Sequence, residues 1–259
     1  KEIIDTAERK LRFEHDNQGR ILAVYAPDPE YWLHQEICIA RYRYDEKGNL
    51  LEETNAVGDS IRYAYEGRLL THEVWRNGVE WFFEYDGTEI GSRCIHTWGS
   101  QNIYNHKLRF FNGYTEVLDS YDKKTTYYHR DGLVYLRIDP NGAEWRTHHN
   151  DEGQVTAEID PEGNSYLYSY DALGNRISNT DPEGGNIELT YYKSRELRYR
   201  PLAVRTLDGG SWSFVYDKRG NVIERNNPKG ARTTLSYKDG LVEEVTDSFG
   251  VVTKLSYDR

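Results

Sequence analysis

Across 259 residues the sequence carries a formal net charge of −10, which disfavours nucleic acid or anionic membrane as the main partner, since both call for a basic surface. Hydrophobic residues reach only 37% while aromatics reach 14%, with 22 Tyr and 22 Gly. That balance suits short strands joined by tight turns, because aromatic rings favour pleated surfaces and glycine supplies positive φ. So many aromatics argue against disorder, and no apolar run approaches the ~18 residues of a membrane span. The opening Lys1-Glu2-Ile3-Ile4-Asp5 is neither a signal peptide nor an initiator sequence, and Met is absent, so the chain reads as an internal piece of a longer polypeptide.

Self-similarity organises the rest. A weak first copy of the repeat is His15-Asp16-Asn17-Gln18-Gly19-Arg20-Ile21, and a full one is Tyr44-Asp45-Glu46-Lys47-Gly48-Asn49-Leu50. Between them lie 29 residues where 20 or 21 fit, an insertion near 27–39. Its Asp28-Pro29-Glu30 is a helix-start signal, so a short helix, an ordered loop or a wide surface turn is expected there. From Asp86 to Arg130 the repeat is degraded, although Trp98, Tyr104, Phe110 and Phe111 keep it strand-like. It then returns at His149-Asn150-Asp151-Glu152-Gly153, Tyr170-Asp171-Ala172-Leu173-Gly174-Asn175 and Tyr216-Asp217-Lys218-Arg219-Gly220-Asn221. A shortened form is Tyr237-Lys238-Asp239-Gly240, and a second insertion falls near 193–201.

Each copy is followed by a second turn: Asp139-Pro140-Asn141-Gly142, Asp160-Pro161-Glu162-Gly163, Asp181-Pro182-Glu183-Gly184 and Asn227-Pro228-Lys229-Gly230, with reduced forms at Asn55–Gly58 and Asp247–Gly250. The step from the first glycine to the second is 10 residues, as in Gly48 to Gly58 or Gly174 to Gly184. The candidate site residues are therefore turn residues. Asp45, Asp171 and Asp217 accept bonds from backbone N–H groups two residues on, and Gly48, Gly174 and Gly220 take the left-handed position. In the second set, Pro161, Pro182 and Pro228 preset φ for a type I turn whose ends are Asp160, Asp181, Gly163, Gly184 and Gly230. Alternation between turns, as in Thr233, Leu235 and Tyr237, completes an antiparallel meander of about two dozen strands. Open twisted sheets rarely exceed about ten strands, so one this long must wrap.

The repeated Tyr-x-Tyr-Asp-x-x-Gly-Asn pattern, closest at Tyr42 to Leu50, Tyr168 to Ile177 and Phe214 to Val222, resembles the Rhs or YD-repeat family. The resemblance implies an all-β fold in which tandem hairpins form a long coiled antiparallel sheet, part of a hollow cocoon, over one repeat array from 1 to 259. It implies a structural shell segment that encloses a C-terminal toxin polypeptide of the same parent chain, without catalysis of its own. It also implies a secreted or cell-surface bacterial toxin component, cytoplasmic before export, with secretion-apparatus proteins and self-association through sheet edges as further partners. The family's self-cleaving members carry a core with its own Asp residues; no such core is found here, and Asp139-Pro140 reads as an ordinary second turn.

No catalytic, cofactor or metal site is expected from the residues. The 43 carboxylates are mostly turn residues, and the adjacent His148-His149 would point to opposite strand faces. His15, His129 and His149 stand in the repeat's Tyr slot. Cys38 and Cys94 lack metal-like spacing and read as two thiols, with a disulfide possible in principle. The alternative function is a carbohydrate- or protein-binding repeat module at a cell surface, for which Trp75, Trp81, Trp145 and Trp212 are the candidates. A hidden hydrolase using inward carboxylates is the third reading.

Overall fold

A computed structural model describes residues 1–4, 10–28, 35–238 and 240–257. These residues form 24 short strands and one 3-10 turn at Ser100–Asn102, so the fold is all-β with almost no helix. Two units divide the chain: Lys1–Tyr128 with Asp139–Asn141, and His129–Ile138 with Gly142–Asp258.

Within the first unit strands consecutive in sequence pair antiparallel, from Glu2–Ile4 with Lys10–His15 through to Tyr114–Leu118 with Lys124–Arg130. Arg43 faces Glu52, Glu52 faces Arg62, and Ala64 faces His72. The second unit runs the same way, through Ala157↔Leu167, Ser169↔Ser178 and Ser178↔Glu188, and on to Glu244↔Lys254. Turns every ten residues leave no room for any other pairing.

The two insertions stay inside this pattern. Pairing of Ala26 with Ile37 and of Pro27 with Glu36 lengthens the hairpin Ile21–Pro27/Glu36–Tyr44, so the outer parts of the 27–39 insertion are strand. The helix-start segment at 29–34 lies outside the described residues. Near 193–201 a wide turn, closed by Tyr192 N–H on the Arg200 carbonyl at 3.2 Å, joins Asn186–Tyr191 to Pro201–Arg205.

A one-layer ladder has little interior. Ala23 and Val24 are the buried apolar residues among those described. The accessible surface is 17871 Å² for a 30.3 kDa chain. Cohesion therefore comes from the ladder and from rings that meet across strands. His72, Phe82 and Trp98 stack in one row, 4.6 and 5.3 Å between centroids, with His96 4.2 Å from Trp98. Such ring pairs contribute about 0.5–1.5 kcal/mol each beyond their burial.

The two turn sequences fold to one geometry. Asp45 N–H donates to the Asn49 carbonyl at 2.9 Å and Gly48 N–H to the Asp45 carbonyl at 3.1 Å; Asp160, Gly163 and Asn164 repeat both bonds at 3.0 Å. Each is a type I turn followed by a left-handed residue, the three-residue hairpin loop. A contrast of two substitutions follows. Gly163→Ala meets no atom and should cost about 1–2 kcal/mol for its positive φ alone. Gly174→Ala should cost more, because its methyl would also stand 3.0 Å from the Gln154 side-chain amide. Urea titration of both variants reads the difference, and equal midpoints would refute it.

Candidate functional site in the repeat turns

The chemistry concentrated at the turns begins with the aspartates. One carboxylate oxygen of Asp171 accepts the N–H groups of Leu173 and Asn175, both at 2.9 Å, and the other accepts the Asn175 amide at 2.9 Å. Asp45 holds Asn49, Asp217 holds Asn221 and Asp160 holds Asn164 in the same way, by backbone and side chain. Asp181 takes the Gly185 N–H at 2.6 Å. Gly48, Gly163, Gly174, Gly184, Gly220 and Gly230 all lie at φ between 78 and 89°, while Pro161, Pro182 and Pro228 sit exposed at the second turn position.

These bonds favour the ionised carboxylate. The Asn175 amide holds the Asp171 carboxyl below the ordinary value against desolvation, helped by the turn N–H groups, and the Asn164 amide does so for Asp160. Desolvation is the largest influence on Asp45 and Asp217 and opposes ionisation, but their turn bonds together outweigh it. A carboxyl whose folded value is depressed adds stability above its unfolded value, and that stability is lost as pH falls through the folded one. The protein should hold its melting temperature from pH 7 to about 5 and lose it steeply below about pH 4. A melting temperature at pH 3 equal to that at pH 6 would contradict this.

Three features that tie neighbouring repeats together were not foreseen in the sequence. The first is a β-bulge opposite the repeat aromatic: the register shifts at Tyr44, Tyr65, Tyr85, Tyr170, Tyr191, Tyr216 and Tyr237, and also at His15 and His149, with the extra residue on the following strand, as Ile177 is opposite Tyr170. The second is a hydroxyl tie across the ladder. Tyr170 donates to the Val155 carbonyl at 2.8 Å, Tyr191 to Arg176 at 3.0 Å, Tyr237 to Val222 at 2.9 Å and Tyr257 to Val242 at 2.9 Å. Each accepting residue pairs with the aromatic of the preceding repeat and stands beside the extra residue of that bulge, as Val155 pairs with His149 and precedes Thr156. The bulge disrupts local pairing, and the next tyrosine satisfies the carbonyl beside it.

The third feature joins turn to turn. The buried Asn49 donates from its amide to the Gly67 carbonyl at 2.9 Å, and Asn175 donates to Arg198 at 3.0 Å. Gln154 reaches the Gly174 carbonyl at 3.4 Å. One asparagine thus closes its own turn through aspartate and holds the next. Its recurrence after glycine was the available signal.

The remaining candidates lie apart from this column. Cys38 and Cys94 are free, and each thiol donates to a carbonyl two residues on, at 3.3 and 3.4 Å. His149 lies opposite a bulge, and among the described residues no group of three His, Cys, Asp or Glu could hold a metal ion. Strand carboxylates face basic partners: Glu52 with Arg43 and Arg62, Glu224 with Arg232. Tyr168, bonded to Glu158 at 2.7 Å, has its hydroxyl pushed up to about 12 by that carboxylate. Trp75 and Trp81 meet at 5.7 Å, and Arg137 lies 4.9 Å from the centroid of Trp145. No helix of the described residues is long and apolar enough to cross a membrane.

The class so defined is an all-β protein of tandem hairpins stitched by tyrosine and asparagine. Residues 149–185, which span the Asp160, Asp171 and Asp181 turns, match the family model of the RHS repeat, so the chain carries that repeat. No curated protein matches it. Among solved structures it is similar to TcdB2-TccC3-Cdc42, at 13% identity and a TM-score of 0.56 over 92% of this chain. It is likewise similar to TcdB2-TccC3 without its hypervariable C-terminal region, at 14% identity and a TM-score of 0.55 over 92%. The Tc holotoxin pore of Photorhabdus luminescens shares 11% identity over 95%, with a TM-score of 0.50. At these identities the likeness concerns the fold. The chain spans 15% of the first two and 18% of the third.

Proposed function

We propose that this chain is a wall segment of an Rhs-type toxin shell, and that the shell encloses a toxin polypeptide of the same parent protein. The observation that supports it is the single-layer ladder, in which each repeat spends its polar groups on the next and leaves both faces of the sheet accessible. A wall needs that property and an enzyme's solid core lacks it. The RHS repeat at 149–185 and the fold shared with TcdB2-TccC3 agree with the reading. In this reading the chain's role is confinement without catalysis, in a component made in the cytoplasm, exported by secretion-apparatus proteins and delivered at the cell surface. Copies associate through the exposed terminal strands Glu2–Ile4 and Val252–Lys254.

Limited proteolysis of the full-length parent protein tests it. Segments beyond the repeats should resist protease at pH 7 and become cleavable once acid below pH 4 opens the turns. Equal cleavage under both conditions would reject enclosure.

A further inference from the structure

The first turn of a repeat closes on a backbone bond between its opening and its closing residue. Asp16 N–H donates to the Arg20 carbonyl and Asp86 N–H to the Arg93 carbonyl, both at 3.0 Å. In these two turns the opening aspartate also neutralises the closing arginine. Arg20 Nε lies 2.6 Å from Asp16 Oδ2, and Arg93 Nη2 lies 2.8 Å from Asp86 Oδ2. The wide turn near 193–201 closes on the same bond, from Tyr192 N–H to the Arg200 carbonyl. Tyr192 therefore stands in the aspartate's place and Arg200 in the arginine's. Tyrosine supplies no carboxylate, and its hydroxyl is spent on the Phe214 carbonyl at 2.8 Å.

The counter-charge is missing where cations crowd. Lys193, Arg195, Arg198 and Arg200 fall within eight residues, with Glu196 the one acid among them, in a chain of net charge −10. Among the described residues none of these four cations makes an ion pair, whereas Arg205 and Arg232 on the strands that follow have Glu188 and Glu224. The turn is also braced. Leu197 N–H donates to the Ser194 carbonyl at 3.2 Å, Arg200 N–H to the Leu197 carbonyl at 2.7 Å, and the Asn175 amide to the Arg198 carbonyl at 3.0 Å. The Arg198 guanidinium lies 4.9 Å from the Tyr199 ring centroid, and its Nε is buried without a hydrogen-bond partner among the described residues. Buried donors are normally satisfied. Arg200 lies across the next turn, where a Cβ on Gly220 would stand 3.2 Å from its Nη2. Lys193, Arg195 and Arg200 are exposed.

We propose that this turn is a docking site for an acidic polypeptide segment, whose carboxylates take the place of the aspartate that the turn lacks. Arg200 receives the first carboxylate, and Lys193, Arg195 and Arg198 receive its neighbours. Guanidinium forks match carboxylates in two-point bonds, and cations held in advance cost less to order on binding. Nucleic acid would also meet cations here. The positive excess spans only eight residues, however, so a long polyanion would run on into the repulsion of an acidic chain, while a short acidic stretch would not. The site stands independently of the shell reading.

Titration of the protein with a glutamate decapeptide, a glutamine decapeptide and a thymidine decanucleotide decides the matter. The glutamate peptide should bind saturably, and Lys193→Ala with Arg200→Ala should weaken it about tenfold or more. Tyr192→Asp, which restores the carboxylate of the repeat, should weaken it as well. Arg93→Ala should leave it unchanged, because that arginine is already neutralised by Asp86. In the unsubstituted protein the side-chain Nε–H NMR resonances of Arg195, Arg198 and Arg200 should shift with added peptide, a readout independent of how the variants fold. Absence of saturable binding, equal binding of the glutamine peptide, tighter binding of the decanucleotide, or shifts confined to other residues would overturn the assignment.

Discussion

Asp171→Ala should destabilise the second unit by about 2–3 kcal/mol, a large effect for a side chain at the surface. The reason is the number of donors it serves. Its carboxylate takes two backbone N–H groups and one amide, each at 2.9 Å, and the bonds to Asn175 are partly buried. Bonds to an ionised acceptor are worth more than neutral ones, and donors left behind in a half-buried turn keep their desolvation cost. The Asn175 amide would lose its anchor while still being asked to hold the Arg198 carbonyl at 3.0 Å. Loss should therefore spread to the next turn, with faster amide hydrogen exchange in Pro201–Arg205 as well as at Asn175. Asp171→Asn keeps an acceptor oxygen and should recover roughly half the loss. A midpoint in urea within experimental error of the unsubstituted protein would show that the turn does not depend on this carboxylate.

How much of this could be read from sequence depends on the range of each interaction. The turn at Asp160-Pro161-Glu162-Gly163 was legible because its bonds close within five residues, and Gly163 at φ 89° is where the spacing put it. Two turn designs were read where the structure has one geometry. Pro161 and Ala172 look different as letters, yet both accept the same φ at that position, and the bonds made by Asp160 and Asp171 are the same. The Tyr170 tie was out of reach, since it requires knowing that the register shifts between His148 and His149 and which carbonyl then lies beside the ring. The cluster of the Trp75, Trp81 and Tyr104 rings, 5.7 and 5.9 Å between neighbouring centroids, was half legible. Both tryptophans were candidates, but Tyr104 arrives from a degraded repeat 23 residues beyond Trp81, and only the loop's backbone brings it over. Short-range chemistry repeats and can be counted, whereas chemistry between repeats needs the register.

Tyr170→Ala should cost about 3 kcal/mol or more, and Tyr170→Phe about 1–2 kcal/mol, with the difference between them locating the role of the hydroxyl. The hydroxyl donates at 2.8 Å to the Val155 carbonyl on the neighbouring strand. Val155 flanks the bulge that its strand makes opposite His149, where the regular pairing is interrupted. Phenylalanine keeps the ring over the strand and removes the donor, so the acceptor stays half-buried without its partner. Alanine also removes the ring and opens the strand to water. The equivalent Tyr237, bonded to Val222 at 2.9 Å, should behave alike. The double variant Tyr170→Phe with Tyr237→Phe should be additive, since the two ties belong to repeats that share no partner. If the tie is what carries a repeat past its bulge, the phenylalanine variants should show exchange rising first at the strands Val155–Ile159 and Val222–Asn226, ahead of the turns. Exchange rising first at the turns instead would assign the stitching to the aspartate–asparagine pairs and leave the tyrosine a packing role.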